Sequence, residues 1–201
     1  MAPTSRLAFM TLTLVSSVFA APLEVRQTYC ADIMVIYARG TAEQPPIGDS
    51  QSVGAIFRDK IRSRLGARSL YFQGVDYPAL ILGFLAGGSP TGSRTMAEDI
   101  TRTANYCPNA KIILAGYSQG AQLVHNSAEM LTSAVTDRIS AVVTFGDPYQ
   151  NQAVGSVPSS KVLIICNEGD NICEGGINPF GPHLTYQEDA PFAVQFVVSK
   201  V

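Results

Sequence analysis

Two kinds of hydrophobic pattern alternate along this chain. Short β-branched apolar runs predict five buried strands, over residues 33–37, 70–75, 111–115, 139–145 and 161–166. Longer stretches with apolar residues at helical spacing predict helices, over residues 51–65, 93–106, 121–131 and 190–200. Strands that alternate with helices favour an α/β fold, with a mostly parallel sheet covered by helices on both faces. In such folds, functional groups collect at the carboxyl ends of the strands.

The first twenty residues do not fit this alternation. Arg6 precedes an apolar stretch over residues 7–19, and residues 18–20 form a small-residue cleavage pattern. We therefore interpret residues 1–20 as a secretory signal peptide, with a buried N-terminal helix as the alternative. Residues 21–27 are a candidate pro-segment, and residues 28–201 form one predicted domain. Because no later segment has the 18 or so apolar residues of a membrane span, we expect a secreted, extracellular protein without a membrane anchor.

Composition and charge narrow the choice of partners. The chain has 14 basic and 16 acidic residues without a basic run, so we expect no nucleic-acid partner. Only 15% of residues are charged and 46% are hydrophobic, which is typical of a compact globule. We expect the protein to be a monomer.

Four cysteines in a secreted chain predict two disulfides, for which three pairings are possible. Cys166 and Cys173 lie close together and flank Asp170, so a bridge between them would pin a short loop. That pairing leaves Cys30 with Cys107, a bridge that could stabilise the fold by about 4 kcal/mol. A metal site is the alternative, but the chain has no C-x-x-C pair and no histidine cluster, so we expect neither metal nor cofactor.

The most informative motif is Gly116-Tyr117-Ser118-Gln119-Gly120, between the predicted strand 111–115 and the predicted helix 121–131. A G-x-S-x-G pentapeptide between strand and helix is the pattern of a nucleophile elbow, which exposes a serine hydroxyl above the sheet. The N-terminal N–H groups of the following helix point to the same place and can stabilise an oxyanion. Ser118 is therefore the candidate nucleophile.

A serine nucleophile needs a general base and an acid that orients it. Of the two histidines, His125 lies seven residues into the helix behind Ser118, so we interpret it as a helix-surface or groove residue. His183 lies in a glycine- and proline-rich loop after the last predicted strand and is the candidate base. Asp147 and Asp170 both follow strands. The residues alone favour Asp170 as the acid and leave Asp147 open, with a turn role as its alternative.

Two further features complete the predicted site. The backbone N–H of Gln119 is one candidate oxyanion donor. Thr41, at the end of the first predicted strand, is the second candidate, with a plain turn threonine as its alternative. Apolar loop residues on both sides suggest a shallow groove for an acyl or aliphatic ester. The candidate groove residues are Leu80, Ile81, Ile177, Phe180 and Leu184.

With these residues assembled, the chain resembles the fungal cutinase family. The resemblance rests on blocks in the same order and at comparable spacing, at residues 30–32, 38–43, 107–108, 116–121, 166–173 and 182–186. It implies a small lidless α/β hydrolase with a five-stranded parallel sheet, which hydrolyses cutin and short-chain soluble esters. It also implies the residue roles: nucleophile Ser118, acid Asp170, base His183, oxyanion hole Thr41 and Gln119, and bridges Cys30–Cys107 and Cys166–Cys173.

Two departures and two alternatives accompany the resemblance. Well-studied cutinases often carry serine where this chain has Thr41, and residues 76–92 differ from the glycine-rich version in some cutinases.

Acetylxylan esterases share the nucleophile elbow and are the alternative within enzymes, but those we would compare tend to carry extra cysteines. A non-catalytic secreted effector or binding protein is the alternative of another class. Its signature would be a missing triad member, and none is missing.

Overall fold

The computed structural model describes residue 1 and residues 29–201. The predicted signal peptide, apart from Met1, and the candidate pro-segment lie outside the described residues and stay predictions. Among the residues described, no helix is both long enough and apolar enough to cross a bilayer.

The centre of the fold is one five-stranded sheet in which every neighbouring pair of strands is parallel. Its strands are β1 (Ile33–Ala38), β2 (Leu70–Gly74), β3 (Lys111–Tyr117), β4 (Ile139–Phe145) and β5 (Val162–Ile165). They are arranged in the order β2-β1-β3-β4-β5. The predicted five-stranded parallel α/β fold is thus confirmed, and β3, which leads to Ser118, lies at the centre of the sheet.

Helices cover both faces of the sheet. They are α1 (Val53–Arg64), α2 (Ile81–Leu85), α3 (Pro90–Tyr106), α4 (Gln119–Ala128), α5 (Ser133–Thr136) and α6 (Ala190–Lys200). One core lies between the sheet and helices α1 and α6. The second core lies between the opposite face and helices α3 and α4. Alternate strand residues enter the two cores, as Val35 and Ile36 of β1 do, because successive side chains of a strand point to opposite faces.

The structure differs from the sequence prediction mainly in residues 76–92. This segment contains the short helix α2, and α3 begins at Pro90 rather than at residue 93. The Ser89 side chain accepts a hydrogen bond from the N–H of Gly92 and so caps α3. Serine before proline is a recognised helix start, because proline fits the first helical position without a donor.

Both disulfides are formed as expected from the sequence. Cys30 is bonded to Cys107 with 5.5 Å between Cα atoms, and Cys166 to Cys173 with 6.1 Å. The first bridge spans 77 residues and joins the segment before β1 to the end of α3. The second closes a short loop after β5 that contains Asp170.

Candidate active site

The turn at Ser118 is as sharp as a strand-to-helix connection can be. Strand β3 runs to Tyr117 and helix α4 begins at Gln119, so Ser118 alone separates them. Its backbone has a φ of 55°, a region that residues other than glycine seldom adopt and that is typical of functional sites. The Ser118 N–H donates to the carbonyl of Phe145 at 2.9 Å, which fixes the turn to the end of β4.

The two glycines of the pentapeptide are required by close packing. A Cβ at Gly120 would lie 1.9 Å from the carbonyl oxygen of Ala38. A Cβ at Gly116 would lie 2.3 Å from the carbonyl oxygen of Gly120. Neither backbone contact can relax without moving the elbow, so the G-x-S-x-G spacing follows from the geometry of the turn.

Ser118, His183 and Asp170 form a continuous chain of hydrogen bonds. His183 Nε2 lies 2.9 Å from Ser118 Oγ, and His183 Nδ1 lies 2.8 Å from Asp170 Oδ2. A carboxylate only accepts, so it keeps the proton on Nδ1 and leaves Nε2 able to accept from the serine hydroxyl. This arrangement can remove the proton of Ser118 while the hydroxyl attacks a carbonyl carbon.

The Asp170 carboxylate is fully buried and held by several donors. Besides His183, it accepts from the N–H of Ile172 at 2.9 Å and from the Tyr186 hydroxyl at 2.6 Å. Burial raises the pKa of Tyr186, and the hydrogen bond to Asp170 raises it further, so the phenol stays a donor. These donors offset the cost of burying the charge and fix the carboxylate under His183.

His183 lies in a 3-10 turn, Gly181–Leu184, rather than in an irregular loop. The Tyr117 hydroxyl donates to the His183 carbonyl at 2.8 Å. The Tyr117 ring stacks on the imidazole, with 5.2 Å between ring centroids. Only 1% of His183 is exposed. The base candidate is therefore held on its backbone, on its ring face and at Nδ1.

The candidate oxyanion residues lie beside one another. The backbone N–H of Gln119 is the first of helix α4 and has no acceptor within the helix. The Gln119 side-chain amide donates to Thr41 Oγ1 at 2.8 Å and to the carbonyl of Leu80 at 2.9 Å. A threonine hydroxyl that accepts this bond keeps its own proton to donate. Thr41 and Ser118 line the same cavity.

The loop that carries Thr41 is held by its own charged residues. The guanidinium of Arg39 donates to the carbonyls of Glu43 and Tyr77, at 2.8 and 2.6 Å. The Glu43 carboxylate accepts from the N–H of Gly40 at 2.6 Å. These bonds connect the two ends of residues 39–43 and fix the shape of the loop.

Glu43 gives a prediction for the pH dependence of stability. Burial raises the pKa of Glu43 from 4.5 to about 7, although the Gly40 N–H opposes the rise. Because the pKa is higher in the folded state, folding is favoured when the Glu43 carboxyl is protonated. This contribution to the free energy of unfolding is fully present below about pH 4.5 and is lost as the pH rises through 7. Glu43→Gln removes this titration. We expect the free energy of unfolding of the variant, relative to wild type, to rise by about 3 kcal/mol between pH 4 and 8.

Urea denaturation at a series of pH values measures this difference. Glu98→Gln, a change at an exposed glutamate of helix α3, is the matched control and should follow the wild type. A Glu43→Gln variant whose free energy of unfolding runs parallel to that of the wild type at all pH values would contradict a raised pKa for this partly buried carboxyl group.

A cavity of about 260 Å³ opens beside Ser118, and we call it the Ser118 cavity. Its lining residues are Thr41, Ala42, Ile81, Phe84, Tyr117, Ser118, Ile172, Ile177, Pro179, His183 and Leu184. The lining is mostly apolar and includes Thr41, Ser118 and His183 of the candidate site. Three of the predicted groove residues line it: Ile81, Ile177 and Leu184. The other two, Leu80 and Phe180, do not, and their side chains are exposed.

The interpretation of His125 as a helix-surface or groove residue is wrong. Only 4% of His125 is exposed, and its Nε2 lies 2.9 Å from Oδ2 of the fully buried Asp147. Asp147 Oδ1 also accepts from the N–H of Tyr149, which is the turn role considered from the sequence. Asp147, the other aspartate that follows a strand, therefore pairs with His125 and not with His183.

Tyr117 and Tyr186 contact the site in ways that the sequence did not reveal. Tyr117 is the variable second residue of the pentapeptide, and Tyr186 follows His183 by three residues. Tyr186 begins a second 3-10 turn, Tyr186–Asp189, which is separate from the turn of His183. No local pattern in the sequence therefore signals its contact with Asp170 or the stacking of Tyr117 on His183.

The five-stranded parallel sheet, with a hydrogen-bonded serine, histidine and aspartate at the carboxyl ends of its strands, defines an α/β hydrolase of the serine esterase class. Comparison with known proteins narrows this class. The family model described as Cutinase matches residues 29–201, and the chain belongs to the cutinase family. It is a carboxylic ester hydrolase.

Individual relatives support the same conclusion. A cutinase of Botryotinia fuckeliana is 46% identical over 187 residues, which are 92% of each chain. The structure of Trichoderma reesei cutinase in complex with a C11Y4 phosphonate inhibitor has a TM-score of 0.81 and 45% identity, and covers 85% of this chain and 76% of that one. An acetylxylan esterase structure has a TM-score of 0.69 at 24% identity, covering 86% and 99%, and shares the fold.

Proposed function

We propose that the protein is a secreted serine esterase that hydrolyses ester bonds of cutin and of short-chain aliphatic esters. The observation that carries the proposal is the Asp170–His183–Ser118 chain of hydrogen bonds, which ends at an apolar cavity. The cutinases of Botryotinia fuckeliana and Trichoderma reesei support the choice of substrate. The proposal of secretion rests on the predicted signal peptide. We also propose that the protein acts as a monomer, without a partner chain.

The first half of the reaction forms an acyl-enzyme. Ser118 Oγ attacks the ester carbonyl carbon as its proton moves to His183 Nε2. The carbonyl oxygen becomes an oxyanion, which accepts hydrogen bonds from the Gln119 N–H and from Thr41. Asp170 stabilises the imidazolium through Nδ1. The tetrahedral intermediate then collapses, the bond to the alcohol oxygen breaks, and His183 gives its proton to the departing alkoxide.

The second half hydrolyses the acyl-enzyme. Water replaces the alcohol, His183 Nε2 accepts one of its protons, and the hydroxide attacks the acyl carbon. The same donors hold the second oxyanion. When this intermediate collapses, the bond from the acyl carbon to Ser118 Oγ breaks and His183 returns the proton to the serine. The carboxylic acid leaves and the site is restored.

The surroundings of the cavity support an aliphatic and insoluble substrate. Three side chains that line the Ser118 cavity are apolar and exposed: Ile81, Ile177 and Leu184. Leu80 and Phe180, of the same two chain segments, are exposed as well, and all five are between 55% and 70% exposed. An apolar patch of this kind on the surface of a globular protein indicates a binding surface. A polyester of long aliphatic acids presents matching apolar chains next to each ester bond.

Leu184→Ser tests whether this surface selects the substrate. Leu184 is 56% exposed and lines the Ser118 cavity, so we expect hydrolysis of a cutin film to fall about 10-fold. Hydrolysis of a soluble acetyl ester should stay within about twofold, because its acyl group is too short to need the groove. Met130→Ser, at an exposed methionine just beyond helix α4, is the matched control and should leave both rates unchanged.

Acetylated xylan provides the comparison between the two esterase functions. The proposed function predicts release of hydroxy fatty acids from cutin by the wild type at a much higher rate than release of acetate from xylan. The reverse order would favour acetylxylan esterase activity. No turnover of any ester would favour the non-catalytic effector.

A further inference from the structure

The protein contains a second buried histidine–aspartate pair, His125 and Asp147, that the proposed reaction does not use. His125 Nε2 lies 2.9 Å from Asp147 Oδ2, and His125 Nδ1 lies 3.1 Å from the carbonyl oxygen of Ala153. Side-chain exposure is 5% for the histidine and zero for the aspartate. The Tyr149 ring packs edge-on against the imidazole, with 5.6 Å between centroids.

The hydrogen-bond partners show that this pair is built differently from His183 and Asp170. A carbonyl oxygen can only accept, so His125 Nδ1 carries a hydrogen. The contact between Nε2 and Asp147 Oδ2 then needs a second hydrogen on one of these two atoms. In contrast, His183 Nε2 faces the Ser118 hydroxyl, which supplies its own hydrogen. The His125 pair therefore has no free acceptor for a substrate proton and is suited to holding structure in place.

The pair is connected to the reacting groups through three successive residues, the last residue of β4 and the two that follow it. The Phe145 carbonyl accepts from the Ser118 N–H, Gly146 packs against the His183 imidazole, and Asp147 binds His125. The contact at Gly146 is tight, because a Cβ there would lie 2.7 Å from His183 Cε1.

Helix α4 connects the other partner to the same site. It begins at Gln119, directly after Ser118, and His125 lies about two turns further on. The pair therefore joins the helix behind Ser118 to the peptide segment behind His183. The same segment reaches the loop of Asp170, since Gln150 Nε2 donates to the carbonyl of Cys173 at 2.6 Å.

We infer that His125 and Asp147 are positioning residues, which hold Gly146 against the His183 imidazole and thereby set the hydrogen bond between His183 and Ser118. The inference rests on the proposed function, because it assigns a role in the same reaction. Without His125, the buried Asp147 carboxylate loses a donor and must move toward other donors or water. Gly146 moves with it, and the imidazole loses the surface that fixes its position.

His125→Leu removes both ring nitrogens at similar volume and is the first test. A base misplaced by about 1 Å can cost about 100-fold. We expect kcat for p-nitrophenyl butyrate to fall 10- to 100-fold while KM stays within about twofold, because the Ser118 cavity is untouched. Rates are expressed per active site, counted by stoichiometric reaction with a fluorophosphonate, so that unfolded protein does not contribute. Ser127→Ala, at a buried serine of the same helix, is the matched control and should keep its kcat.

Asp147→Asn separates a positioning role from general structural damage. Its amide can donate to His125 Nε2, while its oxygen still accepts from the Tyr149 N–H, so all three hydrogen bonds persist with a neutral imidazole. We expect this variant to keep kcat within about threefold of the wild type and to retain a solvent-protected His125 Nδ1–H signal in its NMR spectrum. If His125→Leu yields no active sites that react with the fluorophosphonate, His125→Gln replaces it under the same criteria, because glutamine keeps one amide donor.

Two results would overturn the inference. One is an unchanged kcat per titrated site in the histidine variant, and the other is an Asp147→Asn variant as slow as His125→Leu. If the wild type hydrolyses esters and either result is found, the positioning role of His125 and Asp147 is contradicted and the proposed function stands. A wild type without esterase activity contradicts the proposed function, and the inference falls with it.

Discussion

Replacing Ser118 with alanine should lower kcat for p-nitrophenyl butyrate by about 10⁴- to 10⁶-fold, with KM and the melting temperature little changed. Without Oγ no acyl-enzyme forms, and the remaining donors can only assist attack by water, which leaves a small residual rate. The fold should tolerate the change, since the backbone bond from Ser118 to Phe145 does not involve the side chain. Steady-state kinetics and thermal unfolding of the same preparation measure both effects.

Ser127→Ala is the control for this substitution, because it removes another buried hydroxyl, from the helix that follows Ser118. The Ser127 hydroxyl donates only to the nearby Val124 carbonyl, at 3.1 Å, so we expect kcat to stay within about twofold. Turnover by Ser118→Ala within 10-fold of the wild type would mean that another residue is the nucleophile, and would contradict the proposed reaction.

Asp170→Asn should have the second-largest effect, with kcat about 10⁴-fold lower. An amide N–H facing His183 Nδ1 would favour the tautomer with its hydrogen on Nε2, which can no longer accept the proton of Ser118. The Ile172 N–H adds to the effect, because it donates to Oδ1 and so holds the amide oxygen there, which leaves the amide nitrogen facing His183 Nδ1. The loss should appear in kcat, because no contact with the Ser118 cavity is removed.

Asp137→Asn makes the same chemical change at an exposed aspartate that follows α5 and should leave kcat unchanged. An Asp170→Asn variant with more than a tenth of wild-type kcat would show that the carboxylate does not orient the base. The same outcome would not contradict the assignment of Ser118 as the nucleophile, so Ser118→Ala and Asp170→Asn test separate parts of the proposal.

The sheet could be predicted from the sequence because each strand is an apolar, β-branched run bounded by polar or turn residues. The boundaries near Ser118 could not, since β3 extends to Tyr117 and α4 starts at Gln119. Ordinary propensity would end the strand before Gly116 and start the helix after Gly120. Helix α2 was missed for a different reason. Its five residues, four of them apolar, are too few to show a helical period. They are held by contacts from α4: the Gln119 amide donates to the carbonyl of Leu80 and the Gln122 amide to the carbonyl of Phe84.

The site was predictable to the extent that chain order determines it. Ser118, Asp170 and His183 follow strand ends in the order of an α/β hydrolase, and the chain has only two histidines. His125 was misplaced because a polar residue within a helix is usually exposed. Helix α4, however, is buried on nearly every side, since nine of its ten residues are buried. A buried pair between residues 22 apart in sequence leaves no local pattern to read.

The most direct test of the central claim is covalent labelling with a fluorophosphonate ester, followed by mass spectrometry. We expect one adduct per molecule and a loss of esterase activity in proportion to labelling. Trypsin should release the adduct on the peptide of residues 112–138, which contains Ser118, Ser127 and Ser133. Fragmentation should place it on Ser118, and Ser118→Ala should not be labelled. An adduct on another residue with full loss of activity, or complete labelling of Ser118 with activity retained, would contradict the assignment of Ser118 as the nucleophile.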